Sequence, residues 1–184
     1  LEARGDASLI DAITRATGIT SMGHPGNSGS ALSARGFTDS TSVMRLYDGT
    51  RQYGNVSVSF PFDTWSVDHI EVLRGPASVI HGDGGIGGVI NVVPKKPTRG
   101  PVQSEIQATV GTRDKQALAY GSGGAINNML SYRLDVSGDR SGGWVDLGDT
   151  HNASISGAMQ LDVSPDLQFK LSHAQGKQNP MRYA

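Results

Sequence analysis

Cysteine is absent from the 184 residues, which removes disulfides, thiolate metal sites and thiol nucleophiles together. That absence is compatible with any redox compartment. No excess of one charge exists either: 16 Lys+Arg stand against 17 Asp+Glu, a net charge of −1, which argues against a mainly electrostatic nucleic-acid binder. No apolar run approaches the 18 residues of a spanning helix, so a helical membrane protein is excluded. A transmembrane β-strand escapes that filter, because it alternates instead of running apolar. What is abundant is glycine, at 25 residues roughly twice its usual share.

Two textures meet at Pro94-Lys95-Lys96-Pro97-Thr98-Arg99-Gly100-Pro101, where three prolines and three cations cannot continue a strand or a helix. Before this seam the elements are mixed. Residues 8–16 place Leu9, Ala12, Ile13 and Ala16 at helical spacing, with Ser8 as cap and Gly18 as stop. Short strands are expected at 31–35, 43–48, 67–73 and 88–93, and a helical turn from Pro76 to Gly82.

After the seam the period is two. Val102, Ile106, Ala108 and Val110 oppose Gln103, Glu105, Gln107 and Thr109; Leu130, Tyr132, Leu134 and Val136 oppose Ser131, Arg133, Asp135 and Ser137. Residues 153–163 and 167–172 repeat the pattern, and 116–124 carry a weaker version around Leu118 and Tyr120. A soluble half-buried sheet would alternate in the same way. The connections favour a membrane wall, because tight turns at 126–128 and 164–166 alternate with longer loops at 111–115 and 139–152. Five strands leave two unpaired edges, so the expectation is an N-terminal piece of something larger, already freed of any signal peptide at Leu1.

Catalytic signals are missing. Gly82-Asp83-Gly84-Gly85-Ile86-Gly87 satisfies G-x-G-x-x-G, but a helical turn precedes it and a strand follows, the reverse of a dinucleotide site. His24, His69, His81, His151 and His173 show no metal-ligand spacing, and no G-x-S-x-G elbow occurs. The chain is therefore expected not to be an enzyme and to hold no metal of its own.

A longer constellation is more specific. Ala34-Arg35-Gly36-Phe37 is followed by Arg45-Leu46-Tyr47-Asp48-Gly49-Thr50-Arg51 and by Phe60-Pro61-Phe62-Asp63-Thr64-Trp65. Then come Ile70-Glu71-Val72-Leu73-Arg74-Gly75-Pro76-Ala77-Ser78-Val79-Ile80-His81-Gly82 and Gly87-Gly88-Val89-Ile90-Asn91-Val92-Val93-Pro94-Lys95-Lys96-Pro97. In this order and spacing the chain resembles the plug domain of TonB-dependent outer-membrane receptors, and the Phe-Pro-Phe-Asp-Thr-Trp run resembles their ferric-siderophore branch.

The resemblance implies an α+β plug domain over residues 1–97, followed over 98–184 by the first ~5 antiparallel strands of a transmembrane β-barrel of about 22 strands. On this resemblance, Leu1 is expected to lie just before the first plug helix, after the family's coupling box and first plug strand. It further implies an energy-coupled uptake receptor in the outer membrane of a Gram-negative bacterium, with a ferric siderophore as ligand. A TonB-ExbB-ExbD type complex and outer-membrane lipid are the implied partners, and no nucleic acid. Iron enters only inside the siderophore, so no cofactor is expected. Ligand contact is expected from Arg51, Gln52, Tyr53 and Asp39 at the plug apex. Arg35 and Arg74 are the expected plug-to-barrel locks. A receptor for cobalamin, haem or an oligosaccharide is the alternative, and a soluble β-rich binding domain the more distant one.

Overall fold

The structure, a computed structural model, describes residues 9–15, 18–21, 32–34, 36, 43–52, 63–74, 85, 87–142 and 149–179. It divides into two units at Pro94/Lys95.

In the first unit, helix α1 (Leu9–Thr14) buries Leu9 and Ile13. Gly18, at φ +85°, follows it in the left-handed region that stops helices. Strands β1 (Ile19–Ser21) and β2 (Leu32–Ala34) pair antiparallel as a small separate sheet. The main sheet holds β3 (Val43–Tyr47), β4 (Thr50–Arg51), β5 (Val67–Arg74) and β6 (Gly88–Pro94), in the order β4-β3-β6-β5. β3 and β6 run parallel, and the other pairs are antiparallel. One core joins α1, Ile19, Leu32 and Ala34 to Val43, Val67, Ile90 and Val92, while Met44, Leu46 and Val89 form a second cluster. β3 and β6 alternate between these two clusters, as strands covered on both sides do. The expected turn at 76–82 lies outside the described residues.

The second unit is one antiparallel meander: β7 (Gln103–Val110), β8 (Gln116–Ala125), β9 (Leu130–Ser141), β10 (Thr150–Ser164) and β11 (Leu167–Asn179). The five expected strands are all present. β8 is a full ten residues despite its glycines, and β10 and β11 run well past their alternating segments.

This sheet is inverted relative to a water-soluble one. Its polar face holds the buried Ser131, Asp135, Ser154 and Asp162, whereas Ile106, Val110, Leu118, Ile155, Phe169 and Leu171 are exposed on the other. Two further members of the apolar face, Leu130 and Leu134, are half-buried. Such a surface suits lipid outside and a polar interior. No helix among the described residues is long and apolar enough to cross a membrane.

The apolar band also slants. Following the ladder from Ala108 through Leu118, Gly138 and Ala153 arrives at Lys177, yet the apolar run of β11 centres on Phe169. The band thus descends roughly six to eight residues over four strand spacings, roughly 20–27 Å along the strands against roughly 19 Å across them. If the band is level in a bilayer, the strands tilt by roughly 45–55°, close to the roughly 45° of transmembrane strands.

Candidate functional site

Asp48 and Gly49 join β3 to β4 with φ of +48° and +78°, the two left-handed residues of a tight hairpin. Sequence dictates this turn, because Asp-Gly tolerates positive φ where most pairs do not. It is tied to the neighbouring strand: Asp48 N–H donates to the Val92 carbonyl at 2.9 Å, and Gly49 N–H to Asn91 Oδ1 at 3.0 Å. Asn91 Nδ2 in turn donates to Glu71 Oε2 at 2.8 Å. The Gln52 N–H closes the hairpin on the Arg45 carbonyl at 2.9 Å. Arg51 and Gln52 are therefore displayed from a braced turn, Arg51 half-exposed and Gln52 exposed. Tyr53, Asp39 and Arg35 lie outside the described residues. Arg74 ends β5, where its backbone pairs with Gly88. The structure thus brings Arg51 and Gln52 together at one hairpin.

Electrostatics on this sheet centre on β5. His69 Nδ1 lies 2.6 Å from Asp68 Oδ2 and Nε2 lies 3.4 Å from Glu71 Oε1. The hydrogen bond to Asp68, then that to Glu71, raises the His69 pKa above its usual 6.5. Burial draws the Arg45 pKa below its ordinary value. Reading the sequence had missed Asn91 and Glu71 as braces, although a single Asn inside Val-Ile-Asn-Val-Val was a signal.

The polar face of the second unit carries a second charged arrangement. Arg133 on β9 donates through Nη2 to Glu105 Oε1 on β7 at 2.6 Å, and through Nε to Asp135 Oδ2 at 2.8 Å. Lys95 Nζ donates to the same Glu105 oxygen at 3.1 Å. Further along the linker, Arg99 Nη2 lies 2.7 Å from Asp162 Oδ2, and the Asp162 carboxylate is 5% exposed. The Ala125 N–H donates to the Gly100 carbonyl at 2.9 Å. The linker after Pro94 is accordingly fastened to the wall by two ion pairs and a backbone bond. Among the described residues, no three His, Asp or Glu groups converge on a metal site.

Residues 1–89 match the family described as the TonB-dependent receptor plug domain. The iron-regulated outer membrane virulence protein of Vibrio cholerae is 27% identical over 97% of this chain and 30% of its own length. The catecholate siderophore receptor Fiu of Escherichia coli is 28% identical over 93% of this chain and 21% of its own. Among solved structures, the pyoverdine outer membrane receptor FpvA from Pseudomonas aeruginosa bound to pyoverdine superposes with a TM-score of 0.83, at 21% identity, over 96% of this chain and 26% of that one. The chain spans less than a third of these relatives. Residues 1–89 thus match the TonB-dependent receptor plug domain, and the chain shares the fold of the opening quarter of a solved outer membrane receptor.

Proposed function

We propose that the receptor to which this chain belongs takes ferric siderophores across the outer membrane, its plug gating the barrel and a TonB-ExbB-ExbD type complex supplying the energy. One observation carries the reading. The likeness to a named catecholate siderophore receptor runs through both units, over 93% of the chain, not through the plug alone. The protein acts as a receptor and not as a catalyst, and iron is cargo inside its chelator.

Arg51, Gln52, Tyr53 and Asp39 are the proposed ligand contacts. An iron chelate with an anionic, oxygen-rich shell suits a guanidinium fork and a tyrosine ring. A hairpin fixed by Asn91 and Glu71 holds Arg51 and Gln52 at low ordering cost. Arg35 and Arg74 are the proposed locks between plug and wall.

The test is uptake of iron-55 siderophores, catecholate and hydroxamate, by iron-starved cells lacking or expressing the full receptor. Uptake that needs the receptor and stops with a protonophore supports the reading. Receptor-independent uptake of both classes, with receptor-dependent uptake of cobalamin or haem, overturns the ligand class. Arg51→Ala with Tyr53→Ala is expected to weaken siderophore binding by about 1–3 kcal/mol, roughly 5- to 150-fold, at unchanged outer-membrane abundance.

A further inference from the structure

Four residues, one from each strand of the main sheet, stand in a single row. Arg51 on β4 pairs with Leu46 on β3, Leu46 with Asn91 on β6, and Asn91 with Glu71 on β5. Cross-strand partners share a face, so the row crosses three strand spacings, roughly 14 Å, from the Arg51 edge to the Glu71 edge. A proposed ligand contact stands at one edge and an acidic brace at the other.

Hydrogen bonds connect the two. The Gly49 N–H, in the turn that leads to Arg51, donates to Asn91 Oδ1 at 3.0 Å, and Asn91 Nδ2 donates to Glu71 Oε2 at 2.8 Å. The second oxygen of Glu71, Oε1, faces His69 Nε2 at 3.4 Å, and His69 Nδ1 meets Asp68 Oδ2 at 2.6 Å. One oxygen of Glu71 thus serves the amide that braces the hairpin, and the other serves the imidazole.

We infer that His69 is a positioning residue for the ligand: its proton, acting through Glu71 and Asn91, fixes the hairpin that carries Arg51 and Gln52, so siderophore affinity falls as pH rises. This rests on the reading of that hairpin as the ligand-bearing one.

The donor count of the ring sets the direction. An imidazolium donates from both nitrogens and holds Asp68 and Glu71 together. A neutral imidazole keeps one N–H, and the 2.6 Å contact retains it on Asp68. Nε2 then turns a lone pair on Glu71 Oε1, and the carboxylate swings away from it. Asn91 loses the acceptor that fixes its amide, and the Gly49 turn loses its brace. A looser turn costs more to order when ligand binds. Asp68 and Glu71 are the charged groups that face His69 on its own strand. Among the described residues β6 is the one strand beside β5, and it sets Val93 opposite His69 and Asn91 next to it, neither of which titrates. Lys95, two residues past Val93, is held by Glu105 at 3.1 Å.

The experiment uses the full-length receptor in nanodiscs, with iron-55 tris-catecholate and tris-hydroxamate siderophores as probes. Affinity is measured at about pH 5.5 and about pH 8.5, on either side of the ordinary histidine range. The ratio of wild-type to His69→Leu affinity cancels the titration of the chelate itself. It is expected to be about 3 at the acid pH, the low end for one hydrogen bond, and about 1 at the alkaline pH. His69→Gln keeps a donor for Glu71 at both pH values, and is expected to rescue the loss and to hold it rescued at the alkaline pH. In an Asn91→Leu background, His69→Leu is expected to change nothing further. Hydrogen exchange at the Gly49 amide reads the brace without ligand, and is expected to quicken about 3-fold in His69→Leu at the acid pH. The Asp48 amide, bonded to the Val92 carbonyl, is the internal reference for a folded sheet.

A ratio that is the same at both pH values, or a His69→Gln variant that loses affinity with the wild type, overturns the proton as cause. A loss from His69→Leu that persists in Asn91→Leu overturns the path. Gly49 exchange that ignores His69→Leu overturns the positioning role, whatever binds. Gly49 exchange that responds, with neither chelate bound by the wild type, upholds the relay and overturns the siderophore reading alone.

Discussion

Arg133 of β9 reaches over β8 to Glu105 of β7 through the space that a side chain on Gly121 would fill. Gly121 is the ladder partner of both Glu105 and Asp135. A Cβ there would meet Arg133 Nη2 at 2.7 Å, Glu105 Oε1 at 2.8 Å and Asp135 Oδ1 at 2.9 Å. The absence of one side chain on β8 thus lets one guanidinium bridge β9 to β7. Asp135 is 2% exposed, so Arg133 is what makes its carboxylate tolerable there.

Gly121→Val and Arg133→Gln are each expected to destabilise the full-length barrel by about 3 kcal/mol, the low end for a broken buried pair, because Glu105 keeps contact with solvent. The double variant is expected to lose little more than either single one, since both remove the same bridge. Guanidinium unfolding in lipid vesicles measures this. Losses that simply add would separate Gly121 from the bridge.

The linker clamp makes a proteolytic prediction. Asp162 holds Arg99 and also accepts from the Gln160 amide at 2.9 Å. Asp162→Asn removes the charge that fastens the linker and leaves the trypsin site after Arg99 intact. Cleavage of the folded receptor at that bond is expected to rise about 5- to 30-fold, the factor that about 1–2 kcal/mol of opening free energy carries. Peptide mapping reads it directly, and an unchanged rate means that the backbone bond from Ala125 suffices.

On the plug, the pH dependence of His69 has a definite sign. Its pKa is raised by Asp68 and Glu71, so the bonds of the imidazolium stabilise β5 fully below about 6.5 and are lost as pH rises through the folded value. Carbon-13 histidine NMR of the receptor is expected to show a His69 midpoint above 6.5, returning toward it in Asp68→Asn. A midpoint unmoved by that substitution would show that Asp68 is not the cause.

Strand faces were legible in the sequence because period two is a direct record of which side meets lipid: Glu105 against Ile106, and Asp135 against Leu134. The upper ends of β10 and β11 were not. Beyond Leu171 the outward residues become His173, Gln175, Lys177 and Asn179, so the alternation ends where the strand leaves hydrocarbon, although the ladder continues to Asn179. The run Gly121-Ser122-Gly123-Gly124 read as weak strand for a related reason. Its glycines serve neighbours distant in sequence, Gly121 and Gly123 under Arg133 and Gly124 against Val102. β1 and β4, of three and two residues, are too short to show any period. At the hairpin, the strand expected over 43–48 ran one residue into the turn, and the brace from Asn91 depends on the parallel pairing of β3 with β6, which no local pattern records.

The proposed division between locking and binding in the plug is separable by experiment. Arg74 ends β5 beside Gly88, in the main sheet but at the far end of its own strand from Val67, whereas Arg51 leaves the β3–β4 hairpin. If Arg35 and Arg74 hold plug to wall, removing one partner of a buried pair costs about 3–5 kcal/mol, because the remaining charge is left uncompensated. Arg35→Ala or Arg74→Ala in the full-length receptor is then expected to loosen the plug, raising sensitivity to large antibiotics and current through single channels. Siderophore affinity is expected to change much less than in the Arg51/Tyr53 double variant. Arginine variants that abolish binding while leakage stays at the wild-type level would place both residues in the ligand site, and the lock would have to be sought elsewhere on the plug.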